Sequence, residues 1–213
     1  AAAVAVTPDG SSATSDSAAV VVDGSTVTIT ASGTYRIAGS LDDGQVVVDS
    51  ADDGVVRLVL DDVDLSSSTT SPLVVTDAGK AVVVLADGST NTVSDASTYV
   101  YTDAATTEPD AAIFSMADLT ITGTGALTVE GNAADGIVSK DGLVISGGEV
   151  TVTAVEDGVR GKDYVVVKDS DTASPTLTVT AGGDALKSTN ADDATLGYVT
   201  VAGGTTTLDA GAD

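Results

Sequence analysis

Asp135-Gly136-Ile137-Val138-Ser139-Lys140-Asp141 returns as Asp157-Gly158-Val159-Arg160-Gly161-Lys162-Asp163, and again in looser form as Asp184-Ala185-Leu186-Lys187-Ser188-Thr189-Asn190. Working outward, Ile113-Phe114-Ser115 aligns with Ile137, Val159 and Leu186 at steps of 24, 22 and 27 residues. A second apolar run follows each: Leu119 to Ile121, Leu143 to Ile145, Val165 to Val167 and Val199 to Val201. A third comes after a turn, often glycine-rich: Leu127 to Val129, Val150 to Val152, Leu177 to Val179 and Thr205 to Leu208. Short β-branched runs bounded by Gly, Asp, Asn and Ser predict strands joined by tight turns. Three such strands per period of 22 to 27 residues predict an all-β solenoid, a parallel β-helix whose inward aliphatics stack in columns.

Residues 20 to 95 keep the same rhythm less strictly and are expected to be earlier coils. The expected organisation is a flexible or loosely docked segment over 1–18, then one β-helix domain over 19–213. Ser94 to Pro109 is expected to project from it as a loop. The chain stops at Asp213, in register with the aspartate that opens each coil, so the C-terminal end is expected to be uncapped. Open strand edges of that kind allow end-to-end stacking into a homopolymeric surface fibre.

Composition narrows the chemistry. The 213 residues contain 32 acidic against 8 basic side chains, a net charge of −24, and no histidine or cysteine. This excludes a serine–histidine triad, a thiol nucleophile, a Cys/His zinc site and a disulfide framework. It also argues against nucleic acid, which is bound by cations that neutralise phosphates. Only four of the acidic residues are glutamates, and aspartate favours turns and calcium sites. Hydrophobic residues make up 42% and mean hydropathy is +0.26, which argues for an ordered core. No run reaches the ~18 apolar residues of a membrane span. Ala1 to Asp9 lacks the basic start of a signal peptide.

Aligned coils stack Asp135, Asp157 and Asp184 in one column, Lys140, Lys162 and Thr189 in a second, Asp141, Asp163 and Asn190 in a third, and Val138, Arg160 and Lys187 in a fourth. Carboxylates ~4.8 Å apart repel by about 3.5 kcal/mol at an effective dielectric of ~20, so the aspartate column requires a counter-charge. Calcium would supply it, with Glu156 as a further oxygen donor, and so would a metal-free ladder of Asp–Lys pairs.

Glu108-Pro109-Asp110-Ala111-Ala112-Ile113-Phe114-Ser115 and the repeated motifs above, with Gly33-Thr34-Tyr35-Arg36-Ile37 and Leu85-Ala86-Asp87-Gly88-Ser89-Thr90-Asn91, resemble a bacterial secreted carbohydrate-binding-domain family with a polysaccharide-lyase-like β-helix. The resemblance implies a right-handed coil that binds Ca2+, an extracellular or cell-surface location, and attachment to plant polysaccharide such as cellulose or pectic acid (polygalacturonate). It implies Asp135, Asp157, Asp163 and Asp184 as calcium ligands, with Asp141 and Glu156 behind them. Ala185, Thr189 and Met116-Ala117 depart from the family pattern.

Sugar contact is expected from Tyr99, Tyr101, Tyr164 and Tyr198 by stacking, and from Arg160, Lys162 and Lys187 with an anionic polymer. Tyr35 and Phe114 are expected to be structural. The leading expectation is a non-catalytic polysaccharide binder. A lyase using Lys140, Arg160, Lys162 or Lys187 as base, and a fibre subunit, are the alternatives.

Overall fold

The computed structural model describes residues 2–103 and 105–211, and all regular structure among them is β. The chain enters through β1 (Val4–Gly10), β2 (Ala13–Thr14), β3 (Val20–Asp23) and β4 (Thr26–Ile29). It continues through β5 (Gly33–Leu41), β6 (Gln45–Asp49), β7 (Val55–Ser66), β8 (Leu73–Asp77), β9 (Lys80–Leu85) and β10 (Thr90–Ser94). Four sets of three follow. They are β11 (Ala111–Ser115), β12 (Leu119–Gly123) and β13 (Ala126–Gly131); β14 (Asp135–Ser139), β15 (Gly142–Ile145) and β16 (Glu149–Ala154); β17 (Val159–Gly161), β18 (Tyr164–Val167) and β19 (Thr176–Ala181); β20 (Leu186–Ser188), β21 (Tyr198–Val201) and β22 (Thr205–Ala210).

From β11 onward each strand pairs, parallel and in register, with the strand three places later. Ile113 faces Ile137, Ile137 faces Val159, and Val159 faces Leu186. The second row aligns Leu119, Leu143, Val165 and Val199. The third aligns Leu127, Val150, Leu177 and Thr206. The first row is an eight-stranded sheet in the order β20-β17-β14-β11-β8-β6-β4-β3. The other two rows belong to one fourteen-stranded sheet and meet at β7.

That junction explains why the repeat is weaker before residue 95. In β7 the second and third strands of a repeat are one bent strand: Val55 to Leu60 pair with β9, and Asp64 to Ser66 pair with β10. The bend is at Asp62, whose φ of 56° is unusual for a residue with a side chain. The amide of Val63, just past it, donates to Asn91 Oδ1 at 3.0 Å; Asn91 Nδ2 in turn donates to Ser89 Oγ and to the Ala126 carbonyl, both at 2.9 Å. Asn91 is fully buried in the Leu127 column and replaces packing by hydrogen bonds where the ladder is broken. In the next repeat the corner is a glycine: Gly123 has φ 110°, and a Cβ there would strike the Leu85 carbonyl oxygen.

Alternation along the strands sends Leu119, Ile121, Leu127, Val129, Leu143, Ile145, Val150 and Val152 inward, all essentially unexposed, into one continuous core. Each such side chain contributes about 1.5–3 kcal/mol of burial. Two expectations change. Residues 4–10, expected to be flexible or loosely docked, form β1, which pairs parallel with β5 from Val4–Tyr35 to Gly10–Leu41 and buries Val6. The segment after Ser94, expected to project, instead lies back on the molecule through Val100 N–H to the Thr69 carbonyl. Its Thr106, Thr107 and Pro109 line a cavity with Val74 and Phe114, which belong with Ala111 and Val138 to a small buried outer cluster, so Phe114 is a structural residue. β21 and β22 are edge strands with exposed Val199, Val201 and Leu208, and Asp213 lies outside the described residues.

Candidate functional site

The outer side of the first sheet carries the charge. In-register pairing aligns Val74, Phe114, Val138, Arg160 and Lys187, so an apolar column becomes a basic one in its last two strands. Beside it stand Asp135, Asp157 and Asp184. Asp135 Oδ1 accepts the backbone N–H of Asp157 at 2.8 Å, and Asp157 Oδ1 accepts that of Asp184 at 3.0 Å. In Asp135 and Asp157 one oxygen thus extends the backbone pairing and the other meets a cation. Arg160 bonds Asp135 through Nε at 2.6 Å and Asp110 through an Nη at 2.7 Å. Lys187 Nζ lies 2.9 Å from Asp157 and 3.0 Å from Asp184.

Burial pushes the Asp135 carboxyl up to about 6 against the pull of the Arg160 guanidinium, with Asp110 adding repulsion. The Lys187 amine is pushed up by its bonds to Asp157 and Asp184, which hold it charged. The expected aspartate column therefore exists, but its counter-charge within the protein is Arg160 and Lys187. Asp110 was not singled out from the sequence as a site residue, because the register sets Ala111 opposite Asp135 and leaves Asp110 one position earlier. Its Oδ1 is buried with no hydrogen-bond partner among the described residues.

Of the other predicted ligands, Asp141 and Asp163 form a second, separate column. Asp163 Oδ1 accepts from Asn190 Nδ2 at 2.7 Å. Asp141 is raised by burial and by Asp118 and Asp163, with Lys162 opposing. Asp118 was missed because Ala117 holds the position of Asp141. Standing one residue later in register, Asp118 still reaches the column and accepts the Gly142 N–H at 3.0 Å. Glu156 is exposed. Among the described residues no three acidic side chains converge as a metal cage, so the structure does not gather Asp135, Asp157, Asp163, Asp184, Asp141 and Glu156 into one site.

Between the columns lies a cavity of about 240 Å³ lined by Lys140, Arg160, Lys162 and Thr189. Lys140 pairs with Glu108, and Arg160 and Lys187 are paired as above. Lys162 is the lining cation without a salt bridge among the described residues. In a chain of net charge −24 this is a local reversal of sign. An anion entering it meets donors and loses little hydration without compensation.

The tyrosines do not form a platform. Tyr164 and Tyr198 stack on each other at 5.6 Å and 17°, so their facing sides are closed to sugar. Tyr99 and Tyr101 meet edge to face at 6.0 Å within the 95–110 segment. The Tyr99 hydroxyl donates to buried Asp95, and that of Tyr101 to the Pro109 carbonyl at 2.8 Å. Tyr35 is buried and donates to the Ala31 carbonyl, a structural role as expected.

Comparison with known proteins gives these features a setting. A family model described as "Carbohydrate-binding domain-containing protein" matches residues 23–213. A relative of the same description from Acetivibrio thermocellus is 34% identical over 128 residues, which is 60% of this chain and 45% of the relative; the chain thus matches less than half the relative's length. A solved structure, described as the polysaccharide lyase-like protein from C. thermocellum in its gadolinium derivative, superposes with a TM-score of 0.88 at 32% identity. It covers 94% of this chain and 79% of that one.

Proposed function

The chain belongs to the carbohydrate-binding domain-containing protein family, and from that premise we propose that it attaches to plant-type polysaccharide, cellulose or polygalacturonate, at the cell surface without cleaving it. The observation that carries this reading is the cationic cavity of Lys140, Arg160, Lys162 and Thr189 on an otherwise strongly acidic molecule. A uronate carboxylate fits its charge and its donors. We read the stacked parallel strands as a right-handed β-helix, which sets these side chains one repeat apart along a groove suited to an extended polymer.

Two features favour binding over cleavage. Abstraction of a sugar proton requires a base that is neutral at the working pH, whereas Lys187 is held charged by Asp157 and Asp184, and Lys140 and Arg160 are occupied in ion pairs.

Calcium belongs to this proposal in altered form. The Asp135, Asp157 and Asp184 column does not fit it, because Arg160 and Lys187 already neutralise those carboxylates. The second column holds no preformed cage either, but there Asp141 is repelled by Asp118 and Asp163 with Lys162 opposing, so these three are the hard oxygen donors on which an ion would act. They would hold the ion, and its contribution would be to offset that repulsion.

The test is polygalacturonate binding by titration calorimetry at low and high salt, with Lys162→Gln and Lys140→Gln. Each substitution is expected to weaken binding by about tenfold, equivalent to ~1.4 kcal/mol, and added salt to weaken it further. Unchanged affinity in both variants would remove the cavity from the reading. A protein that binds neither polymer would end the proposal.

A further inference from the structure

The outward side of the row β10, β13, β16, β19 and β22 carries a regular array. Alternation buries Leu127, Val150 and Leu177 and turns the residues between them to solvent. In-register pairing then places Thr92, Thr128, Thr151, Thr178 and Thr207 in one column. Thr153 and Thr180 stack on one side of it, and Thr176 and Thr205 on the other. Neighbouring hydroxyls repeat at ~4.8 Å across strands and ~6.6 Å along them, and the central column spans about 19 Å.

Strand propensity favours threonine but does not select it five times. The matching outward column of the adjoining row reads Val82, Thr120, Val144, Val166 and Thr200. Threonine supplies a methyl and a hydroxyl on a side chain stiff at χ1, so such a lattice is ordered before any partner arrives. Ser94 and Thr124, at its margins, spend their hydroxyls on Glu130 and Asp87. The central threonines make no such side-chain bond to another described residue. From Thr92 to Thr207 the column is uncharged in a chain of −24; carboxylates stand in the flanking columns at Glu130, Glu149 and Asp209, and at its β7 end the column meets exposed Asp64, paired with Thr92.

We propose that this face docks on an ordered, neutral polysaccharide surface, where extended chains lie side by side and present repeating hydroxyls. The proposal rests on the carbohydrate-binding reading and adds a second surface with a different preference. A uronate polymer would be repelled here by Glu130, Glu149 and Asp209, and would go to the cationic cavity on the first sheet.

The experiment is retention on microcrystalline cellulose, with soluble polygalacturonate titrated in parallel. The variant T128V/T151V/T178V deletes three hydroxyls and keeps the β-branched shape that favours a strand. T151K/T178K puts two charges in the column. Each variant is expected to bind cellulose at least about tenfold more weakly, with an unchanged melting temperature for the valine variant and unchanged polygalacturonate affinity for both. Wild-type retention by both variants overturns the threonine face while leaving the carbohydrate reading intact. A wild-type protein that binds polygalacturonate but not cellulose also overturns it, as does one that inhibits ice growth without binding cellulose. Binding to neither polymer ends both readings.

Discussion

Replacing Arg160 by methionine keeps most of the apolar stem and removes the charge that bridges two repeats. In the native protein the guanidinium bonds Asp135 at 2.6 Å and Asp110 at 2.7 Å, and the Asp135 side chain is only 3% exposed. Removing one partner of a buried ion pair costs about 3–5 kcal/mol, because the remaining charge stays desolvated. Arg160 is 19% and Asp110 27% exposed, so water relieves part of that cost, and about 2–4 kcal/mol is expected at pH 7. For a domain of this size each kcal/mol moves the melting temperature by about 2–4 °C, which predicts a fall of roughly 4–16 °C.

The pH dependence separates this cause from lost packing. Asp135 already has its folded-state pKa raised to about 6, above the ~3.9 of an unfolded aspartate. Its ionisation therefore costs stability as pH rises through about 6, and removing Arg160 enlarges that cost. The loss in Arg160→Met should shrink between pH 7 and pH 5, where Asp135 takes up its proton, and should shrink similarly in R160M/D135N at pH 7. Urea unfolding at the two pH values measures it. A loss under about 0.5 kcal/mol, or one that is the same at both pH values, would refute the claim that Arg160 is the counter-charge of the aspartate column.

Asn91→Ala should cost about 2–4 kcal/mol in urea unfolding, since it strands the Val63 N–H and the Ala126 carbonyl in the core; a cost below 1 kcal/mol would mean the bend at Asp62 is held by something else. Gly142→Ala should destabilise by about 1–3 kcal/mol and alter the near-ultraviolet tyrosine signal, because its methyl overlaps the Tyr164 ring that stacks on Tyr198. Adding Tyr164→Ala should recover much of that loss. Burial raises the Asp95 carboxyl despite the bonds from Tyr99 and Asn132, so its ionisation opposes folding above its folded pKa. The stability of Asp95→Asn relative to wild type should accordingly rise as pH is raised from below the ~3.9 of an unfolded aspartate to neutral, and a flat difference would contradict this. Calcium at 100 times its Kd should add about 2.7 kcal/mol, or roughly 5–10 °C, after EGTA treatment. The gain should vanish in Asp141→Asn and persist in Asp184→Asn, and no gain in the wild type would exclude the Asp118, Asp141 and Asp163 column as an ion site.

Local pattern was enough to find the strands and their three-per-period order, because burial on one side of a strand forces apolar residues to alternate and stacking forces each column to repeat. The alignment of Ile113, Ile137, Val159 and Leu186 was legible for that reason, as was the gathering of Lys140, Lys162 and Thr189. Where the period was broken, the sequence lost its voice: β7 fuses two strands at Asp62, and β1 joins the sheet beside β5 without any repeat to announce it. Register along the chain says which residues stack, but not where long side chains reach. Arg160 passes its own neighbour to bridge Asp110 and Asp135, Asp118 enters a column from one position away, and Tyr164 and Tyr198 close on each other. Those choices follow from three-dimensional distance and desolvation, which only the folded chain sets. Tertiary structure therefore decided that the aspartate column is neutralised by arginine and lysine, and that the exposed surface offers a cationic cavity on one sheet and a threonine lattice on another.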